Sequence, residues 1–402
     1  MKKNGLSIIR SLFRMVLLTL ICFFLVACAK AAENKTKTGE PVKTDADRKS
    51  TSAQPAKQAE QAERKWDAIL AAARQEGTVV FAGPPVSEVR KLVGKFTEKY
   101  GIQVDFLSGS GSRHIARLKP EFQAGKYTTD VFMGGPTTVI TDMYPVGMLD
   151  PIKPDLILPE IGCGHWATKD GCPEFIDKDK QYIVTLAKAV TGGAIFINTK
   201  NVKPSEIKSY QDLLKPKFKG RIASADPRTS GPGGQGVNYL LAEFGREFVE
   251  KLYKRQQVVL SGDMRQLAEW LARGVYDVVL LVDQESVNNL MQEGLPIAPV
   301  ETPDAPGKLS GGWLGALARM KNAPHPNAAT VFINWVMSKE GLESFGRATK
   351  YPVLRKDVLN EWVPKYILPK PDVAYKVDLS SWEYNTKLGP RLEKIRQELF
   401  PK

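Results

Sequence analysis

Histidine and cysteine are the scarce residues of this chain, three and four among 402. Three histidines leave little for general-base work. The motifs of the commoner catalytic centres are also missing: no GxSxG elbow, no Walker loop, no HExxH, and no GxGxxG after a first strand. Acidic pairs occur, but spacing alone does not bring them together. The chain therefore reads as a non-enzyme, and nothing in it calls for a cofactor. No internal repeat is visible. The net charge of +13 owes seven charges to the first 65 residues, so the remainder is mildly and diffusely basic. A nucleic-acid binder concentrates basic residues beside aromatic platforms, which excludes nucleic acid as the expected partner. The apolar run 15–26 is too short for a comfortable transmembrane span.

Lys2, Lys3, Arg10 and Arg14 precede that run, and it ends in LVAC. A basic start with a short apolar core describes a secretion signal, residues 1–27. Its ending resembles a bacterial lipoprotein signal, in which cleavage precedes the cysteine and Cys28 is acylated. The alternative is an ordinary signal with an incidental cysteine. Acylation implies a periplasmic or cell-surface protein held on a membrane, since several acyl chains hold where one holds marginally. Residues 28–65 are polar, with almost no large apolar side chains. They cannot bury a core and read as a disordered, solvated tether. Cys163 and Cys172 stand nine residues apart in CGHWATKDGC. In an exported domain they read as a disulfide. The rival is a metal site joining both thiols to His165, which needs a fourth ligand.

The folded part begins at Trp66, and its length of about 335 residues suggests two lobes. Trp66, Ile69, Leu70 and Ala73 share one helical face, and a strand at 78–81 follows. Ser87 is placed to cap the next helix. Residues 102–136 then read strand, Ser/Gly loop, helix, strand, Gly/Pro loop, an α/β pattern with three strand-end loops, GPP, SGSGSR and GGPTT, on one edge. Such loops hold ligands in sheets of this kind. Ser108, Ser110 and Ser112 offer hydroxyls, Arg113 offers charge, and the following helix start favours anions. Gly135 and Thr137 lie in the third loop. Residues 191–198 read as one strand entering a second lobe. There, DPRTSGPGGQG repeats the same logic with Arg228, Thr229 and Ser230, while Gln284 lies just past a buried strand near 277–282. Ser261 or Asp263 caps the helix MRQLAEWLARG. The Pro-rich stretch 296–306 reads as the crossing back. Phe332, Trp335 and Val336 read as core, His114 as a cap or a solvent-facing residue with a ligand role as the alternative, and His325 as surface.

These segments together resemble an extracellular solute-binding protein of an ABC importer, of the class that includes ferric, thiamine, polyamine and phosphonate binders. The resemblance rests on EGTVVFAG, FTEKYGIQVDF with TTDVF, GAIFINTKNV, SYQDLLKPKFKGRIASADPRTSG and HPNAATVFINWVMSKEGLESF in that order. It implies a two-lobed, type 2 periplasmic-binding-protein-like α/β fold, each lobe a mostly parallel sheet flanked by helices. It places lobe one at 66–185, lobe two at 186–298, a return to lobe one at 299–348, and a C-terminal segment, 349–402, mainly on lobe two. It implies a monomer that closes on its solute and docks on permease subunits. Trp313 lines the cleft in this reading. Ferric binders carry two adjacent tyrosines just after the strand that here reads YDVVLLVDQES, where this chain has Gln284 and Glu285. The expected solute is therefore a small anion: phosphonate, phosphate ester or carboxylate. The alternatives are ferric ion without tyrosine ligands and a solute sensor for signalling.

Overall fold

The computed structural model describes residues 45–229 and 231–401, with side chains from residue 60 onward. The signal segment, Cys28 and Ser230 lie outside the described residues. The first helix, Asp45–Glu76, opens earlier than the boundary at Trp66 read from composition, so residues 45–65, expected as disordered tether, are helical. Its last turns follow the expected periodicity: Ala73 is fully buried, and Trp66, Ile69 and Leu70 pack against the same core.

The first sheet runs in the order β2 (Gln103–Ser108), β1 (Thr78–Gly83), β3 (Val131–Gly134), β14 (Ala316–Met320), β6 (Ile183–Thr185) and β5 (Glu174–Phe175), with β4 (Leu149–Asp150) paired to β14. Side chains alternate across it. Phe81, Val131, Met133 and Leu317 enter one core, and Ala82, Phe132, Ala316 and Ala318 enter the other. The helix Pro326–Met337 lies in the first core, where Phe332, Trp335 and Val336 are fully buried as expected. The second sheet runs β10 (Val259–Ser261), β9 (Ile222–Ala225), β11 (Val278–Leu280), β8 (Ile195–Asn198) and β12 (Ile297–Val300).

The parallel character is confined to one half of each sheet. β1 pairs in parallel with β2 and β3, and β9 with β10 and β11. β14 and β8 join antiparallel to their neighbours. Both strands follow a crossing segment directly, without the helix that a parallel connection needs.

The crossing is a two-stranded antiparallel ribbon of β7 (Ala189–Thr191) and β13 (Lys308–Ser310). Residues 191–198, expected as one strand, break at Gly192, whose positive φ of 71° turns the chain from the ribbon into β8. The return also differs from expectation. Ile297–Val300 still pairs inside the second sheet, and β13 makes the crossing. The chain then crosses a third time. Val353, Leu354 and Val358 belong to the first lobe's core, while Val377, Leu379, Tyr384, Leu392 and Leu399 belong to the second's. Backbone hydrogen bonds from Leu309 N to Val377 O (2.8 Å) and from Leu379 N to Leu309 O (2.9 Å) lay this segment along β13. Cys163 and Cys172 form a disulfide, so neither is a free thiol beside His165.

Candidate functional site

The three loops of the first lobe meet at one edge. β1 and β2 end in register, Gly83 opposite Ser108, and Gly109 N donates to Gly83 O (3.0 Å). His114 is only 5% exposed, and its Nε2 sits 3.0 Å from the same carbonyl. It therefore braces the first two loops rather than facing solvent, and burial holds its pKa below the usual value. The second and third loops touch: a Cβ on Gly111 would lie 2.3 Å from Thr138 Oγ1, so only glycine allows this approach. Ser110 caps the helix Gly111–Gln123, accepting from Arg113 N (3.4 Å), and lies 3.1 Å from Ser112 Oγ. Ser108, Ser112, Arg113 and Thr137 are exposed, and Gly135 is half-buried. Ser87 does not cap its helix; Val86 holds that position, and Ser87 Oγ donates to Glu88 instead.

The second lobe's loops also share an edge, tied by Asp226 N donating to Ser261 O (2.9 Å). Its polar groups are largely committed. Arg228 is paired with Asp226 (Nη2–Oδ2 2.6 Å), which lowers the Asp226 pKa and neutralises the expected cation. Thr229 Oγ1 donates to Asp226 O (2.8 Å). Asp263 caps Met264–Ala272, accepting from Gln266 N. Asp283 caps Gln284–Gln292, and Gln284 Nε2 donates to Val190 O of the ribbon (3.2 Å). Gln284 thus fastens a loop to the hinge. It lines a cavity of about 470 Å³ together with Thr302, Tyr366 and Tyr375.

β13 belongs to the ribbon that joins the two lobes. Beyond β13 a turn, Gly312–Leu314, carries the chain to Gly315, which packs against Pro136 at the first lobe's edge: a Cβ there would fall 2.6 Å from Pro136 Cδ. Trp313 is half-buried in the turn just beyond β13. At the second-lobe end stands Lys308, 4% exposed. A Cβ on Gly192 would lie 2.7 Å from its Nζ and 3.9 Å from the Leu281 side chain. The Tyr239 ring centroid is 5.9 Å from Nζ. No carboxylate reaches this ammonium among the described residues, and burial pushes its pKa down to about 8.

The C-terminal segment touches both lobes. Thr137 Oγ1 donates to Asn385 Oδ1 (2.7 Å), and Tyr144 stacks edge-on against Trp382 at 5.4 Å. On the other side Arg396 donates to Pro227 O. A cavity of about 570 Å³ lies between Thr141 and Tyr144 on one side and Trp382 and Thr386 on the other. No hydrogen bond among the described residues joins Ser108, Ser112 or Arg113 to the second lobe. Sequence reasoning missed Lys308 and Asn385. A lysine beside glycine after a Pro-rich stretch looks like loop, and only the pairing of β13 with β7 buries it.

The family model of the bacterial extracellular solute-binding protein matches residues 91–370. This chain belongs to that family. It is a solute-binding protein, as the resemblance of its segments implied. It is 25% identical over 304 residues to the spermidine/putrescine-binding periplasmic protein 1 of Haemophilus influenzae, covering 73% of this chain and 80% of that one. A Trichodesmium protein, IdiA (FutA), in complex with iron and citrate ligands, superposes with a TM-score of 0.57 at 19% identity, over 81% of this chain and 100% of the other. The periplasmic binding protein AfuA of Actinobacillus pleuropneumoniae, with fructose-6-phosphate bound, gives 0.54 at 18% identity, over 80% and 98%. These structural likenesses establish the two-lobed fold.

Proposed function

We propose that this chain is the receptor of an ABC importer, anchored by lipid on Cys28, that closes its two lobes on a small anionic solute. The solute is a phosphonate, phosphate ester or carboxylate, and the loaded monomer delivers it to the permease. The observation that carries the anion reading is the un-neutralised donor edge of the first lobe. Ser108, Ser112 and Arg113 are exposed around the amino end of a 13-residue helix, and Arg113 has no acidic partner among the described residues. Hydroxyls, a free guanidinium and a helix start all favour oxyanions. Gln284 and Glu285 after β11 supply no phenolate pair for bare ferric ion. Iron offered with citrate would still present carboxylates to this edge.

Solute touching both lobes favours the closed state by its differential affinity for that state. Thermal unfolding of the protein with inorganic phosphate, methylphosphonate, citrate, ferric chloride and putrescine tests the reading. At least one anion should raise the melting temperature. Stabilisation by ferric ion or putrescine alone would reverse it.

A further inference from the structure

Among the described residues, the other largely buried lysine and arginine side chains at the lobe cores and joints each have a carboxylate beside them. Lys188 meets Glu174 at 2.6 Å and Asp378 at 2.9 Å. Arg319 meets Asp155 at 2.7 Å, Arg355 meets Asp357 at 2.8 Å, and Arg396 pairs with Glu393. Lys308 is the exception. It is 4% exposed, and the charge-complementary group beside it is the face of Tyr239, 5.9 Å from Nζ. A distant ring face compensates a desolvated ammonium only in part. An unpaired buried charge is among the more expensive features a fold can hold.

Lys308 is enclosed, but on the Gly192 side only backbone covers the ammonium. Gly192 passes so close that any side chain there would lie 2.7 Å from Nζ. Leu281, with a positive φ of 58°, turns the chain out of β11 next to the same spot. The residue sits in the ribbon beside Leu281 at the end of β11, and beyond its strand a turn leads to Gly315, which packs against Pro136 at the first lobe's edge. A solute held between the two edges would lie over this strand. We propose that Lys308 is the charge receptor of the cleft and that its ammonium binds an oxyanionic group of the solute at the floor between the lobes. This rests on the anion-receptor reading above and narrows it to one residue. It also accounts for a second lobe that otherwise brings little free positive charge to the site, since Arg228 is spent on Asp226. An ammonium is a compact point charge, so it selects charge and leaves planar geometry unread. Phosphate, phosphonate and carboxylate groups share the chemistry it needs.

The test compares the wild-type protein with Lys308→Met, which keeps the stem and removes the charge, and with Lys308→Arg, which keeps the charge. Calorimetric titrations use inorganic phosphate, methylphosphonate and citrate, with putrescine as the cationic control. The wild type should bind at least one anion, and Lys308→Met should bind it weaker by about thirtyfold or more, the usual consequence of deleting one partner of a buried charge pair. Lys308→Arg should fall between the two. Unliganded Lys308→Met should melt no lower than the wild type. An unchanged anion affinity in Lys308→Met overturns this proposal and leaves the anion reading standing. A wild type that binds putrescine, or nothing in the panel, overturns both. Acylation followed by mass spectrometry tests the wild-type protein without any substitution. Bound anion should slow labelling of Lys308 and spare exposed Lys126, and equal Lys308 rates with and without anion count against the proposal.

Discussion

Lys308 makes the unliganded protein sensitive to alkaline pH in a definite direction. Its ammonium titrates near pH 8 in the fold, against ~10.5 in an unfolded chain. Between those values the unfolded state binds more protons, so stability rises with pH across the window. Below about 8 the full penalty is present, on the order of 3 kcal/mol; above ~10.5 it is gone. Lys308→Met carries no such penalty at any pH. In urea unfolding without solute, the stability of the wild type relative to Lys308→Met should therefore stay level below about 8 and climb from there to ~10.5. A difference between the two proteins that does not change over this range would contradict the assignment. The histidines show what one residue's neighbours hide from sequence. His114 follows a Ser/Gly loop and reads as a cap or as solvent-facing, yet it is buried and its ring meets a carbonyl 31 residues away. His325, between two prolines, also reads as surface. Its backbone N–H and Nδ1 both reach Asp130, at 2.7 and 2.9 Å, and that carboxylate is fully buried.

Elements are more legible than their partners. The short apolar runs of β1 and β3 and the stripe of Pro326–Met337 identify buried elements directly, because strand and helix signals are local. The break of 191–198 at Gly192 is not local. It depends on β7 finding β13 more than a hundred residues later. The same holds for the antiparallel entry of β8 and β14. Asn334, inside an apolar helix, illustrates an element fastened by one polar residue. It is fully buried, donates to Asp155 O (2.6 Å) and Thr330 O (2.8 Å), and accepts from Ile157 N and Leu158 N (3.0 Å each). Asn334→Leu removes these contacts and strands two partly buried N–H groups, which should cost on the order of 3 kcal/mol. Chemical denaturation checks this. A loss below ~1 kcal/mol would mean that the 155–158 segment finds other partners.

At the scale of the whole unit formed by residues 58–402, two lobes with separate cores are joined by β7, β13 and the returning C-terminal segment. The sequence pattern conveys the two lobes and the loop edges. It does not convey the floor, because the floor is made by three segments far apart in the chain. Such a joint is suited to hinge closure, and a solute can drive closure only through contacts it makes in the closed state. The most direct measurement is the distance between spin labels on the exposed positions Ala116 in the first lobe and Glu269 in the second, read with and without phosphate, methylphosphonate or citrate. Clamping of an anion predicts a shorter distance with the anion that binds and no change with putrescine. A distance that stays fixed while an anion binds, or that shortens with putrescine alone, would contradict it.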